Sequence, residues 1–235
     1  MIREHAFNSR FWGKPVGLVE DARFFNLSGQ ERQDLLQPYD WAEFRASVAD
    51  APDPRKLADS GFGWVDTQLH FRIALFQQSL KTCGEALEVH SAADQCFTLS
   101  SDELALFEHE RYRFLPGITA ARLQERYAMW ANNLIQEQPQ WCLRVCSESK
   151  VQGWFLSNMQ EKKGLNLTLA MLRKDAGLSG LLLYQRALAE YASRGVRIGW
   201  ASFSVGNLPV LNIYSHLGAR FVEASSCWLW WRNSR

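Results

Sequence analysis

Asn207-Leu-Pro-Val-Leu-Asn-Ile-Tyr214-Ser-His-Leu-Gly218-Ala-Arg-Phe221 is the stretch on which the reading of this chain turns. Gly206 suits the exit from a strand and Pro209 the first turn of a short helix. Before it runs Val196-Arg-Ile-Gly-Trp-Ala-Ser-Phe203, β-branched and aromatic like a buried strand. Behind that lies an apolar-periodic segment, Leu181 to Gly195, closed by a helix-stop glycine with Arg194 in the last turn. The order is helix, strand, short helix, final strand, and the last strand reads Cys227-Trp-Leu-Trp-Trp-Arg232.

Working upstream, Trp141-Cys-Leu-Arg-Val-Cys146 and Val151-Gln-Gly-Trp-Phe-Leu156 flank a hairpin turn at Ser147–Lys150. A second turn, Met159 to Gly164, precedes Leu165-Asn-Leu-Thr-Leu-Ala-Met-Leu172. Three antiparallel strands are expected there. Ahead of them Thr119 caps a long amphipathic helix, with Leu123, Tyr127, Trp130, Leu134 and Ile135 on one face. The fold class is therefore α+β.

The first 99 residues suggest a small α/β unit. Phe11-Trp12-Gly13 reads as a turn against a sheet edge, and Ser28-Gly-Gln-Glu31 is a capping-box pattern. Leu35, Leu36, Trp41 and Phe44 fit a broken helical face. Lys56 to Gly61 reads as a helix end, and Trp64 to Ile73 alternates like a strand. Another strand is expected from Gln95 to Leu99. Ser100-Ser-Asp-Glu103 resembles a helix start and marks the boundary, giving domains 1–99 and 100–235.

The 235 residues carry a formal net charge of +1, which gives no support for a nucleic-acid partner or an acidic membrane surface. Five cysteines form no CxxC pair and no His lies at zinc-finger spacing, so no metal is expected and the thiols read as reduced. The start lacks the apolar core of a signal peptide, and no apolar run is long enough to span a bilayer, so a cytoplasmic location is expected. The Trp-rich last strand is a candidate dimerisation element.

Two constellations carry chemistry. After Leu172, the loop Arg173-Lys174-Asp-Ala-Gly177-Leu178-Ser179-Gly180 joins a strand to a helix start, exposing backbone N–H groups at the positive end of the helix dipole. Such a turn binds phosphate oxygens. The second is Tyr214, two helical turns after Asn207. A phenol of pKa about 10 donates a proton to a departing thiolate if it lies beside the sulfur. The plainer reading of Tyr214 is a core aromatic packed on Leu217 and Phe221. Glu108, His109, Glu110, Glu148 and Glu161 are candidate bases that read as solvated surface groups, and His216 reads as helix surface.

Asn207, Tyr214 and Leu217-Gly218, with Lys174-x-x-Gly177-x-Ser179 or a frame shifted to end at Gly180, resemble the GCN5-related N-acetyltransferases. Further stretches are similar to the dTDP-fucosamine acetyltransferase family: Phe7-Asn-Ser-Arg-Phe-Trp-Gly13, Leu57 to Asp66, Arg111-Tyr-Arg-Phe, Tyr127-Ala-Met-Trp130 and Trp228-Leu-Trp-Trp-Arg232. The resemblance implies the acyl-coenzyme A N-acyltransferase fold and acetyl-CoA as co-substrate. It also implies direct transfer of the acetyl group to a small primary amine, the 4-amino group of a nucleotide-linked amino sugar. It gives Leu172, Lys174, Gly177, Leu178, Ser179, Gly180 and Asn207 contacts to the coenzyme, and Tyr214 the general-acid role. Rival readings are transfer to another amine (amino acid, antibiotic or peptide N-terminus) and a non-catalytic module that binds coenzyme A. Leu-Pro-Gly after Phe114 and the Ser at 179 depart from the family pattern at the acceptor and coenzyme sides.

Overall fold

The three strands expected between residues 141 and 172 are present in the computed structural model, which describes residues 1–77, 87–160 and 164–232. They are β6 (Cys142–Ser147), β7 (Lys150–Gln160) and β8 (Gly164–Leu172). Glu148 and Ser149 take positive φ in the turn between the first two, the backbone that a two-residue hairpin matching strand twist requires. Next come helix α5 (Gly180–Ser193), β9 (Ile198–Ser204), helix α6 (Leu208–His216) and β10 (Arg220–Trp231). Ahead of β6 lies helix α4 (Ala120–Glu137), whose Thr119 side chain accepts from the Arg122 N–H at 3.2 Å.

The first part of the chain supplies β1 (Ile2–Glu4), helix α1 (Ala6–Trp12), β2 (Val16–Val19), helix α2 (Gly29–Leu36) and β3 (Trp41–Ser47). Helix α3 (Pro54–Asp59), β4 (Gly63–Ala74) and β5 (Leu87–Ser91) follow. The capping box closes α2: Ser28 accepts from the Glu31 N–H, and the Glu31 carboxylate accepts from the Ser28 N–H. Three expectations are corrected. Residues 6–12 form a helix ended by Gly13 at φ 64°, not a turn. Trp41 and Phe44 lie on a strand, not a helical face, with Trp41, Ala42, Glu43 and Phe44 all buried. The strand before residue 100 is β5, not Gln95–Leu99.

All ten strands form one sheet, in the order β1-β2-β3-β10-β4-β9-β8-β7-β6-β5. β2 pairs with β3, and β8 with β9, in parallel, and the other neighbours are antiparallel. β4, from the first 99 residues, sits between β9 and β10, and the sheet runs unbroken past the expected boundary. The Trp-rich end of β10 pairs with β3 and, as far as Leu229, with β4, so the expected dimerisation strand lies inside the sheet. Helices α5 and α6 cover one face, where Phe71, Phe155, Leu167, Leu183, Leu188 and Tyr191 form the largest core. Helix α4 covers part of the other face, over Trp154, Leu156, Leu169 and Met171. Each such side chain contributes about 1.5–3 kcal/mol on burial. No described helix is long and apolar enough to cross a membrane.

Candidate functional site

β8 and β9 are partners over only two residue pairs, Leu165 with Gly199 and Asn166 with Trp200. The cause is visible in the register of β8 against β7. From Leu156 to Asn158 the β7 strand advances two residues, while β8 advances three, from Asn166 to Leu169. The extra residue is a β-bulge, which bends and twists the strand that carries it. Side chains switch faces across it: Leu165 and Leu167 join the core under α5, Leu169 and Met171 the core under α4. Beyond the bulge the two strands part.

A cavity of about 700 Å³ occupies the gap. Phe71, Ala201 and Phe203 line it from the α5 face, and Gln68, Trp200, Ser202 and Ser204 from the opposite face, so it reaches through the sheet. Residues 106–111 also line it.

Tyr214 lies at the α5 side, 3 % exposed, its ring centroid 4.0 Å from Phe71, 5.1 Å from Tyr184 and 5.9 Å from Phe203. Burial, reinforced by Tyr184 and Tyr191, holds its pKa well above the ordinary 10. The phenol is therefore protonated at physiological pH, and it is also the core aromatic of the plainer reading. Asn207 lines the cavity too, while its side-chain oxygen caps α6 by accepting from the Val210 N–H at 3.3 Å.

The loop residues lie beyond the cavity lining. Leu172 ends β8, and the exposed Lys174 donates its N–H to the Glu103 carbonyl at 2.9 Å, beside a bridge between Leu104 and Arg173. Asp175 pairs with Arg173 and Lys150. Gly177 and the buried Leu178 donate their N–H groups to the Gln152 side chain. Ser179 caps α5 by accepting from the Leu182 N–H at 3.3 Å. At Gly180 a Cβ would stand 3.2 Å from the Ile213 side chain, so the start of α5 packs against α6.

On the far face a buried polar network borders the cavity, and sequence reasoning missed most of it. Glu43, wholly buried, pairs with Arg45 and Arg111 and accepts from the Tyr112 hydroxyl. Burial pushes its carboxyl up, but Arg111, Arg45 and that hydrogen bond prevail and hold it far below the carboxylate range. Asn8 donates to Tyr112 at 2.6 Å and accepts from Arg126 at 3.0 Å. Glu110, read from sequence as a surface group, is buried and accepts from the Tyr127 hydroxyl and the Tyr112 N–H. Three guanidinium groups (Arg45, Arg111, Arg126) thus meet the buried carboxylates of Glu43 and Glu110, and the buried Asp66 also faces Arg111. A charge inside the apolar run Trp41-Ala-Glu-Phe44 was the one signal of this network in the sequence. Glu108 and His109 are exposed at the cavity, whereas Glu148 sits in the distant hairpin turn and His216 is exposed on α6. Glu161 and Cys83 lie outside the described residues.

No protein-family model matches the chain, and no curated protein matches it. Solved structures do. A GCN5-related N-acetyltransferase from Sphaerobacter thermophilus superposes with a TM-score of 0.54 at 16 % identity, covering 85 % of this chain and 64 % of that one. A GCN5-related N-acetyltransferase from Kribbella flavida gives 0.57 at 11 % identity, covering 91 % and 80 %. The chain has the fold of these proteins. A GCN5-related glucosamine N-acetyltransferase region of a fungal multi-domain β-N-acetylglucosaminidase gives 0.59 at 10 % identity, covering 92 % of this chain. The chain spans 64 % of the length of the Sphaerobacter structure and 30 % of that of the fungal one. In this acetyltransferase fold, the end of β8 at Leu172 and the loop into α5 are the parts that sequence reading assigned to the coenzyme, and both lie beside the parting of β8 from β9.

Proposed function

We propose that the chain is an acetyl-CoA-dependent N-acetyltransferase acting on the 4-amino group of a nucleotide-linked amino sugar. The observation that carries the reading is Tyr214: a buried, protonated phenol lining the cavity that opens where β8 and β9 part. The expected exposed N–H groups at Lys174, Gly177 and Leu178 are instead bonded to Glu103 and Gln152. The exposed Lys174 side chain, Ser179, Gly180 and the start of α5 would therefore hold the phosphates of the coenzyme, on a loop shaped by Gly177 and Leu178, and Asn207 would hold its arm. The neutral acceptor amine attacks the thioester carbonyl carbon. A C–N bond forms, the C–S bond breaks with its electron pair on sulfur, and the Tyr214 hydroxyl supplies the proton that the thiolate takes up. The proton shed by nitrogen leaves through water, from which Tyr214 is reprotonated.

The acceptor assignment is supported from the far face. Trp200 and Trp130 offer aromatic surfaces, while Asn166, Thr168, Gln68 and Ser202 offer hydrogen-bonding groups at the same cavity. That mixture suits a sugar ring, and the guanidinium groups of Arg45, Arg111 and Arg126 at the cavity suit a diphosphate. The resemblance of the chain to the dTDP-fucosamine acetyltransferase family points the same way, and the fungal protein of the same fold is named for glucosamine.

Thermal unfolding with and without acetyl-CoA tests the coenzyme. A ligand at one hundred times its Kd adds about 2.7 kcal/mol, roughly 5–10 °C for a chain of this size. No shift at millimolar coenzyme would sink the reading. Turnover on a panel of nucleotide amino sugars, free amino sugars, amino acids and peptides tests the acceptor, and acetylation confined to acceptors without a nucleotide would exclude it.

A further inference from the structure

Gly177 was the residue on which the sequence signature of the coenzyme loop rested, yet its backbone does not need a glycine. It does not take positive φ, and an added Cβ would meet nothing nearer than 3.9 Å, the distance to the Gln152 side-chain oxygen. The shape of the loop has another source. Gln152, on β7, is 6 % exposed. Its backbone carbonyl accepts from the Arg173 N–H at 2.9 Å, continuing the β7–β8 ladder to the root of the loop. Its side-chain oxygen then accepts from two successive loop amides, Gly177 at 2.9 Å and Leu178 at 3.1 Å. Its side-chain nitrogen donates to the Lys150 carbonyl at 3.3 Å, which fixes the amide the right way round.

A buried carbonyl that satisfies two adjacent N–H groups does two things. It removes the cost of leaving those donors unpaired, and it ties residues 177 and 178 down onto the sheet just before the Ser179 cap. Leu178 is thereby seated in the core under α5.

We propose that Gln152 is the positioning residue of the coenzyme loop: it holds Gly177 and Leu178 so that the turn into α5 keeps the shape that receives the coenzyme phosphates. The inference rests on the acetyltransferase reading. It assigns to a residue 25 positions upstream the conformational work that the glycine signature leaves to the loop itself. Gln152 does not line the cavity, so its effect belongs to coenzyme binding alone.

The test is steady-state kinetics and calorimetric binding of acetyl-CoA to the full chain carrying Gln152→Met, which keeps the shape and removes the hydrogen bonds. Gln152→Asn, which keeps the amide but shortens its reach, guards against a Met variant that does not fold. In both, Kd and KM for acetyl-CoA should rise roughly tenfold or more, with kcat and the acceptor KM near wild type. A KM split of this kind is not produced by a loss of stability. Unchanged affinity in a folded variant overturns the inference while leaving the acetyltransferase reading intact. Tighter binding also overturns it, because Gln152 would then obstruct the loop. Failure of the wild-type chain to bind acetyl-CoA overturns both.

Discussion

Tyr214 and Glu43 show how one residue type is read from sequence and another is not. Tyr214 lies seven residues after Asn207 on one short helix, so both were legible from a single contiguous pattern. Its substitution by Phe keeps the ring against Phe71, Tyr184 and Phe203, so the fold should survive. The expected outcome is a fall in kcat of about 10²–10⁴-fold with coenzyme affinity near normal, and unchanged turnover would remove the assigned role. Glu43 belongs to a network assembled from β3, α1, α4 and residues 110–112, which no local pattern reveals. Its carboxyl is held below the ordinary 4.5, so it adds stability above that pH, and the contribution is lost as pH falls from 4.5 toward the lower native value. Burial moves Asp66 the other way: its raised pKa means that the native state binds the extra proton, and its effect on stability is a loss as pH rises from the ordinary 3.8. Glu43→Gln leaves Arg111 buried with a weaker partner. Denaturant unfolding at pH 7 should show a loss of about 3–5 kcal/mol, shrinking in acid.

At the scale of elements, legibility followed periodicity. β6 to β9 and helices α4 to α6 showed regular apolar spacing, and they formed within a few residues of their expected limits. β3 was missed because both of its faces are buried and Glu43 breaks the apolar run, leaving no alternation to read. β10 was read short, from Cys227, because register shifts after Phe221 and Cys227 interrupt its alternation against β4. The short helix α1 has no repeat at all, and only its Gly13 stop was visible. The bulge in β8 was illegible because it is defined against a partner strand. One glycine governs the narrow end of the gap. Gly164 has φ 94°, and a Cβ there would stand 2.7 Å from the Ile198 carbonyl of β9. Gly164→Ala should therefore cost about 1–3 kcal/mol, read as a lower denaturant midpoint. It should also push β8 from β9 where they still pair. An unchanged midpoint would show that the pairing yields without cost.

For the molecule as a whole, the strand order is the consequential fact. The acetyltransferase arrangement was legible from the order of elements after residue 119, but the place of β4 was not. Pairing between segments some 150 residues apart leaves no trace in local sequence. Expressed alone, residues 100–235 would leave β9 and β10 without the strand that joins them. We expect this fragment to be unfolded or aggregated by circular dichroism and size exclusion, and the full chain to unfold in a single calorimetric transition. A folded, soluble fragment, or two transitions, would instead favour independent units divided near residue 99.

The position of β4 also imposes a schedule on synthesis. β4 leaves the ribosome early, but its partner β10 follows roughly 150 residues later, a delay on the order of 7–30 s at ordinary elongation rates. For most of that interval, until β9 is made, a twelve-residue strand with Val65, Phe71 and Ile73 destined for the core waits without either neighbour. Nascent chains of this protein should therefore be long-lived clients of chaperones, and slowed translation of the last third should lower the soluble yield more than slowed translation of the first.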